Sequence, residues 1–132
     1  MSLVFVDTGA FYALSDRSDP AHRRAARFYK DHKQLLVTTE YVFAETMSLL
    51  TKRLGKQIAV AFGDGIRRGT RIRVDAVAPE IREAAWSLFA GRLDKDWDLI
   101  DCTSFMFMDA LGITEAFAFD RHFSQRGLRL LP

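Results

Sequence analysis

Four carboxylates stand out by their positions. "LVFVDTGAF", residues 3–11, is an apolar run that stops on Asp7, and "AFAFDRHF", residues 116–123, holds another that stops on Asp120. Glu45 lies inside "TTEYVFAETMSLL" with Val42 and Leu49 on its i±3 and i±4 rows, so it borders an apolar helix face. Asp101 falls in the first turn of "LIDCTSFMFMDAL", next to Ile100 and near Phe105, Met106 and Met108. A carboxylate at an apolar border needs a partner, because an unpaired buried charge is strongly destabilising. His22, His32, His122 and the lone Cys102 show no metal-ligand spacing. A hard cation would serve: Mg²⁺ or Mn²⁺ takes oxygen ligands, keeps several waters and bridges to phosphate. Each acid also has a structural reading. Asp7 could cap a turn, Asp120 could cap a short turn starting at Arg121, Asp101 suits a helix dipole, and Glu45 could pair with Lys52. Spacing alone leaves both readings open.

The elements that must position these acids alternate. Residues 3–7 read as a short buried strand. "SDPAHRRAARFYKDH" offers Asp19 as N-cap and Pro20 as first helical residue. "LLVTT", 35–39, is a second strand, and Thr39 caps a helix running to Gly55. A further helix covers 56–68, "RIRVDAV" is a third strand, and Pro79 opens a helix ending near Leu93. "DKDWD" is a polar loop, 99–111 a helix stopped by Gly112, "AFAFD" a fourth strand and "LRLL" a fifth at the edge. Strands separated by helices, with few hairpin signals, predict an α/β fold: a mostly parallel sheet of about five strands covered on both faces. In such sheets ligands gather beyond the carboxyl ends of the strands, where strand order reverses. Asp7 and Asp120 both fall at predicted carboxyl ends.

The chain has 132 residues, enough for one domain over 1–132. Hydrophobic residues make up 48% and charged residues 27%, a globular composition that argues against disorder. No apolar stretch reaches the ~18 residues of a membrane span, and "MSLVFVD" lacks the basic start of a signal peptide. One cysteine permits no internal disulfide, so a cytoplasmic location is expected. The net charge is only +2, yet basic residues cluster over 17–33 and 52–73, with arginine outnumbering lysine. Forked guanidinium donors suit phosphate, and Arg17, Arg23, Arg24 and Arg121 are the candidate RNA-backbone contacts; solvated helix faces are the plainer reading. His122 could touch RNA or support the fold. Cys102 reads as a small buried residue and "FMFM", 105–108, as core or subunit interface. Trp86, Phe89 and Trp97 fit either core or contact surface.

The segments "VDTGAFYAL", "TTEYVFAETMSLL", "DKDWDLIDCTSFMFMDALGI" and "AFAFDRHFSQRGLRLLP" together resemble the PIN-domain ribonucleases, and within them the toxins of VapBC toxin–antitoxin modules. The resemblance runs over nearly the whole chain. It implies a three-layer α/β/α domain in which Asp7, Glu45, Asp101 and Asp120 converge at one end of the sheet and hold Mg²⁺ or Mn²⁺. It implies a metal-dependent endoribonuclease, a VapB-type antitoxin partner and a homodimer. Thr8 would supply a hydroxyl to the site, although Gly9 follows it where relatives often carry a small hydroxyl residue. Asp98 stands where relatives often have Ser or Thr, and reads either as a helix N-cap or as an extra acid at the metal. Ile100 replaces a common Thr. Two alternatives keep the fold: a non-cleaving RNA- or protein-binding module, and a solitary RNA-processing nuclease. A phosphoacceptor receiver domain is disfavoured, since the chain lacks adjacent acids after the first strand and a lysine after the last.

Overall fold

The computed structural model describes residues 2–132. Its elements are β1 (Val4–Val6), α1 (Thr8–Ser15), α2 (His22–Asp31), β2 (Leu36–Thr39), α3 (Glu40–Leu54), α4 (Lys56–Arg68), β3 (Ile72–Asp75), α5 (Pro79–Gly91), α6 (Leu99–Leu111), β4 (Glu115–Phe117), α7 (Arg121–Gln125) and β5 (Arg129–Leu131). The sheet runs β3-β2-β1-β4-β5 with every pair parallel. From β1 the chain builds outward through β2 to β3, then crosses back to place β4 on the other side of β1. The order therefore reverses between β1 and β4.

The central strand explains why the opening run is apolar without alternation. Val4, Phe5 and Val6 are fully buried because helices cover both sides of a parallel sheet. Phe5 meets Phe107 of α6 and Phe123 of α7, with ring centroids 6.0 and 6.2 Å apart. Phe117 of β4 lies across from Val6, not Phe5, so it points to the opposite face, where it meets Phe28 of α2 at 4.6 Å. The aromatic residues thus pin α6 and α7 to one face and α2 to the other. Phe105, Phe107 and Met108 are buried, which makes the "FMFM" run core. Trp97 is buried too, whereas Trp86 and Phe89 are exposed on α5.

Caps set several boundaries. Thr39 accepts a hydrogen bond from the Val42 N–H and starts α3 directly from β2. Gly55, at φ +98°, separates α3 from α4 where an L side chain would be strained. Three expectations need correction. The eight residues after Asp7 form α1, which the sequence hid: Gly9 sits in its first turn, and its residues are apolar on nearly every side. The helix expected from Pro20 begins at His22. Asp19 caps the turn before it instead, accepting from the Ala21 N–H at 3.0 Å through its carboxylate and from the His22 N–H at 2.9 Å through its carbonyl. The fourth strand stops at Phe117, so Asp120 stands past the strand end and serves as the N-cap of α7.

Candidate active site

Two of the four acids follow the strands that flank the reversal. Asp7 comes directly after β1. Its N–H donates to the Phe117 carbonyl of β4 at 3.1 Å, so the two strand ends are tied together at this residue. Its carbonyl accepts from the Ala10 and Phe11 N–H groups and opens α1. Asp120 caps α7 by accepting from the His122 N–H at 2.9 Å.

Helices deliver the other two. Asp101 is the third residue of α6 and completes a reciprocal capping box. The Asp101 N–H donates to Asp98 Oδ1 at 2.7 Å, and the Asp98 N–H donates to Asp101 Oδ2 at 3.1 Å. The box orients Asp101 into the protein and leaves Asp98 exposed as the N-cap. Glu45, in the middle of α3, accepts a hydrogen bond from the Thr8 hydroxyl of α1 at 2.5 Å. Its partner is thus a hydroxyl and not Lys52 or another base, the pairing the sequence left open, and the contact joins the helix after β1 to the helix after β2.

The electrostatics show that these carboxylates share one space. Asp7 is 7% exposed. Its carboxyl is pushed up to about 7, first by burial and then by repulsion from Asp101, Asp120 and Glu45, against the pull of the Thr8 N–H. Asp101, 9% exposed, is pushed up to about 6 by burial and by the charges of Asp98 and Asp120, while its bond from the Asp98 N–H and the nearby His122 act the other way. No lysine or arginine lies within 4.0 Å of any of the four acids among the described residues.

One residue absent from the expected set joins them. The Nδ1 of His122 is 3.1 Å from Asp101 Oδ2 and 3.3 Å from Asp120 Oδ2. One ligand atom from each of Asp101, Asp120 and His122 lies within 4.8 Å of the others. Asp7 and Glu45 stand outside that tight trio. The sequence offers His122 as an RNA contact or structural support and not as a ligand, because a histidine two residues after an acid is not a metal-ligand spacing in itself; its second partner is 21 residues away on α6. The other histidines are elsewhere: His22 Nδ1 contacts the Ala13 carbonyl at 2.7 Å, and His32 stacks on Phe28. Cys102, next to Asp101, is buried and its thiol is pushed up to about 11, first by burial and then by the Asp101 charge, which excludes it as a nucleophile.

The donor set fits a divalent cation. It is rich in carboxylate oxygen, partly buried and without a lysine or arginine to balance it, which is the composition expected of a hard-cation site. One arginine reaches the segment that carries Asp120. The Arg24 guanidinium lies over the Phe119 ring, 5.2 Å from its centroid and one residue before Asp120. Arg23, Arg24 and Arg27 line a cleft of about 360 Å³ with Phe28, Asp31 and Pro132. Arg121 is exposed beside Asp120, and Arg17 is exposed without a contact that ties it to the acids. A second cleft, of about 430 Å³, lies between α4, β3 and α2, and none of the four acids lines either cleft.

The PIN domain family profile matches residues 4–127. The chain is 35% identical over 125 residues to "23S rRNA-specific endonuclease VapC20" of Mycobacterium tuberculosis, spanning 95% of each protein. The crystal structure of Mycobacterium tuberculosis VapC20, described as a sarcin–ricin loop cleaving toxin, superposes with a TM-score of 0.90 over 96% of both chains. A toxin–antitoxin complex from Klebsiella pneumoniae shares the fold at 15% identity, with a TM-score of 0.63 over 89% of this chain and 87% of that one. FitAcB from Neisseria gonorrhoeae shares it at 12% identity, with a TM-score of 0.68 over 98% and 96%.

Proposed function

The chain belongs to the PIN-domain family, and from that premise we propose that it is a metal-dependent endoribonuclease, the toxin of a VapBC-type pair. The observation that carries this reading is Asp7: a carboxylate buried where two strand ends meet, repelled by three other acids and left without a basic partner. Such an arrangement is costly unless a cation occupies it. The identity to VapC20 points to ribosomal RNA, with the sarcin–ricin loop as the first substrate to try.

The roles follow from the geometry. Asp7, Asp101 and Asp120 would hold Mg²⁺ or Mn²⁺, directly or through water. A divalent cation held there supplies Lewis-acid polarisation of the scissile phosphate and a more acidic water. Glu45, fixed by the Thr8 hydroxyl, orients the attacking water or accepts its proton. The Asp98–Asp101 box keeps Asp101 from turning away. Arg24, over the Phe119 ring, and Arg121, next to Asp120 in the chain, hold the RNA backbone, and in-line attack leaves a 5′-phosphate and a 3′-hydroxyl. An RNA fragment carrying the sarcin–ricin loop, incubated with the purified protein and Mg²⁺ or Mn²⁺, should give discrete cleavage that chelation abolishes. Intact RNA under every metal condition, from folded protein freed of any bound partner, would overturn the reading.

Two further results are expected. Thr8→Val keeps the side-chain shape and removes the donor to Glu45. It should slow cleavage about tenfold while lowering stability by only about 1 kcal/mol, as read from single-turnover rates and urea unfolding. Arg23→Ala with Arg24→Ala should weaken RNA binding and reduce the steepness of its salt dependence by about one unit per lost phosphate contact, measured by titration in chelator. A salt slope unchanged in the double variant would remove this helix from the RNA path.

The partners belong to the same proposal. A small antitoxin and a homodimer are inferred, and Trp86, Phe89 and Leu93 around the end of α5 support a contact surface, since all three side chains are exposed. Action on RNA in the cytoplasm is part of the same proposal, and no helix among the described residues is long and apolar enough to cross a membrane.

A further inference from the structure

We propose that His122 is a nitrogen ligand of this site and biases it toward Mn²⁺ over Mg²⁺. The inference rests on the reading of Asp101 and Asp120 as metal-holding residues. The short helix α7 turns the chain back on itself just after Asp120. Asp120 commits Oδ1 to the His122 N–H at 2.9 Å, which leaves Oδ2 facing the imidazole. The ring then sits between two carboxylate oxygens from different elements, at 3.1 and 3.3 Å, with only 19% of its side chain exposed. Asp7 adds an independent reason for a cation here, since it is buried without a basic partner. A neutral imidazole that ligates through Nδ1 brings no positive charge of its own, so the need for the cation stands.

The chemistry of the donors favours one kind of ion. Mg²⁺ takes oxygen ligands and keeps several waters. Imidazole is a poor partner for Mg²⁺ and gains affinity along the transition-metal series. The competing account is a histidine that only donates Nδ1–H to the two carboxylates and never touches the ion.

Pulsed electron paramagnetic resonance of the Mn²⁺-loaded full chain separates the two accounts. The expected result is nitrogen modulation from one directly bound imidazole, absent in His122→Gln. Calorimetry should show the ratio of Mn²⁺ to Mg²⁺ affinity falling about tenfold in that variant. Bound Mn²⁺ without nitrogen modulation in the wild type, or an affinity ratio unchanged in His122→Gln, would overturn the assignment of His122 alone. A wild-type chain that binds no Mn²⁺ would overturn the metal reading and this inference with it.

Discussion

Replacing Asp7 with asparagine is expected to lower RNA cleavage by about 10²–10³-fold and, in the same molecule, to raise the melting temperature of the metal-free protein above pH 7. The two effects share one cause. The Asp7 carboxyl is pushed from 3.8 up to about 7 by burial and by three neighbouring acids. Between those values the folded protein keeps a proton that the unfolded chain has lost. Stabilisation from that proton is complete below the ordinary carboxylate range and is lost as pH rises through about 7. A shift of this size corresponds to about 4 kcal/mol at full ionisation. Asparagine stays neutral at every pH, so the metal-free variant avoids the penalty and can donate its amide hydrogens to the surrounding carboxylates. Thermal melts in chelator should show a gain on the order of 10 °C at pH 8, shrinking toward zero below pH 4. Metal at a hundred times its Kd should close most of that gap, because the wild type alone gains fully from ligation, by about 2.7 kcal/mol. Undiminished cleavage would remove Asp7 from the site. A variant less stable than the wild type at pH 8 without metal would show that its carboxylate is not the destabilised group.

The strands, the helices after β2 and β3, and the parallel arrangement were all legible in sequence, because each rests on a local signal. An unbroken apolar run marks β1, a threonine cap marks α3, and a proline marks the start of α5. The exposed Asp98 was legible as a cap for the same reason, since the acid three residues later is part of the pattern. Helix α1 was not legible, because it is nearly apolar all round and a glycine interrupts its first turn; packing between α2 and α3, not periodicity, makes it helical. The contact of His122 with Asp101 was hidden more deeply. Its position depends on α7 folding the chain back over the start of α6, and no local pattern encodes a contact between two short elements brought together by the sheet between them. The acids were visible one by one as candidates, whereas their mutual repulsion became visible only once β1 and β4 were neighbours.

That repulsion also dictates how metal binding depends on pH. Affinity for Mn²⁺ should fall about 10³-fold from pH 8 to pH 5, because both Asp7 and Asp101, held up at about 7 and about 6, must lose protons before they can ligate. Ordinary carboxylates would change almost nothing over that range. The sign is fixed: protons compete with the cation for the same oxygens, so affinity rises with pH and levels off above about 8. Calorimetry in buffers of different ionisation enthalpy, done on His122→Gln so that the imidazole does not enter the count, should find close to two protons released per metal near pH 5.5 and almost none at pH 8. Asp7→Asn removes one of the two carboxyl protons, so the change between pH 8 and pH 5 should shrink about a hundredfold. Affinity that stays flat from pH 5 to 8 in the wild type would mean that the ion sits away from these two acids. A bend that persists near pH 7 after Asp7 is replaced would assign the higher titration to another group, and the burial of Asp7 between β1 and β4 would then lose its place in the metal chemistry.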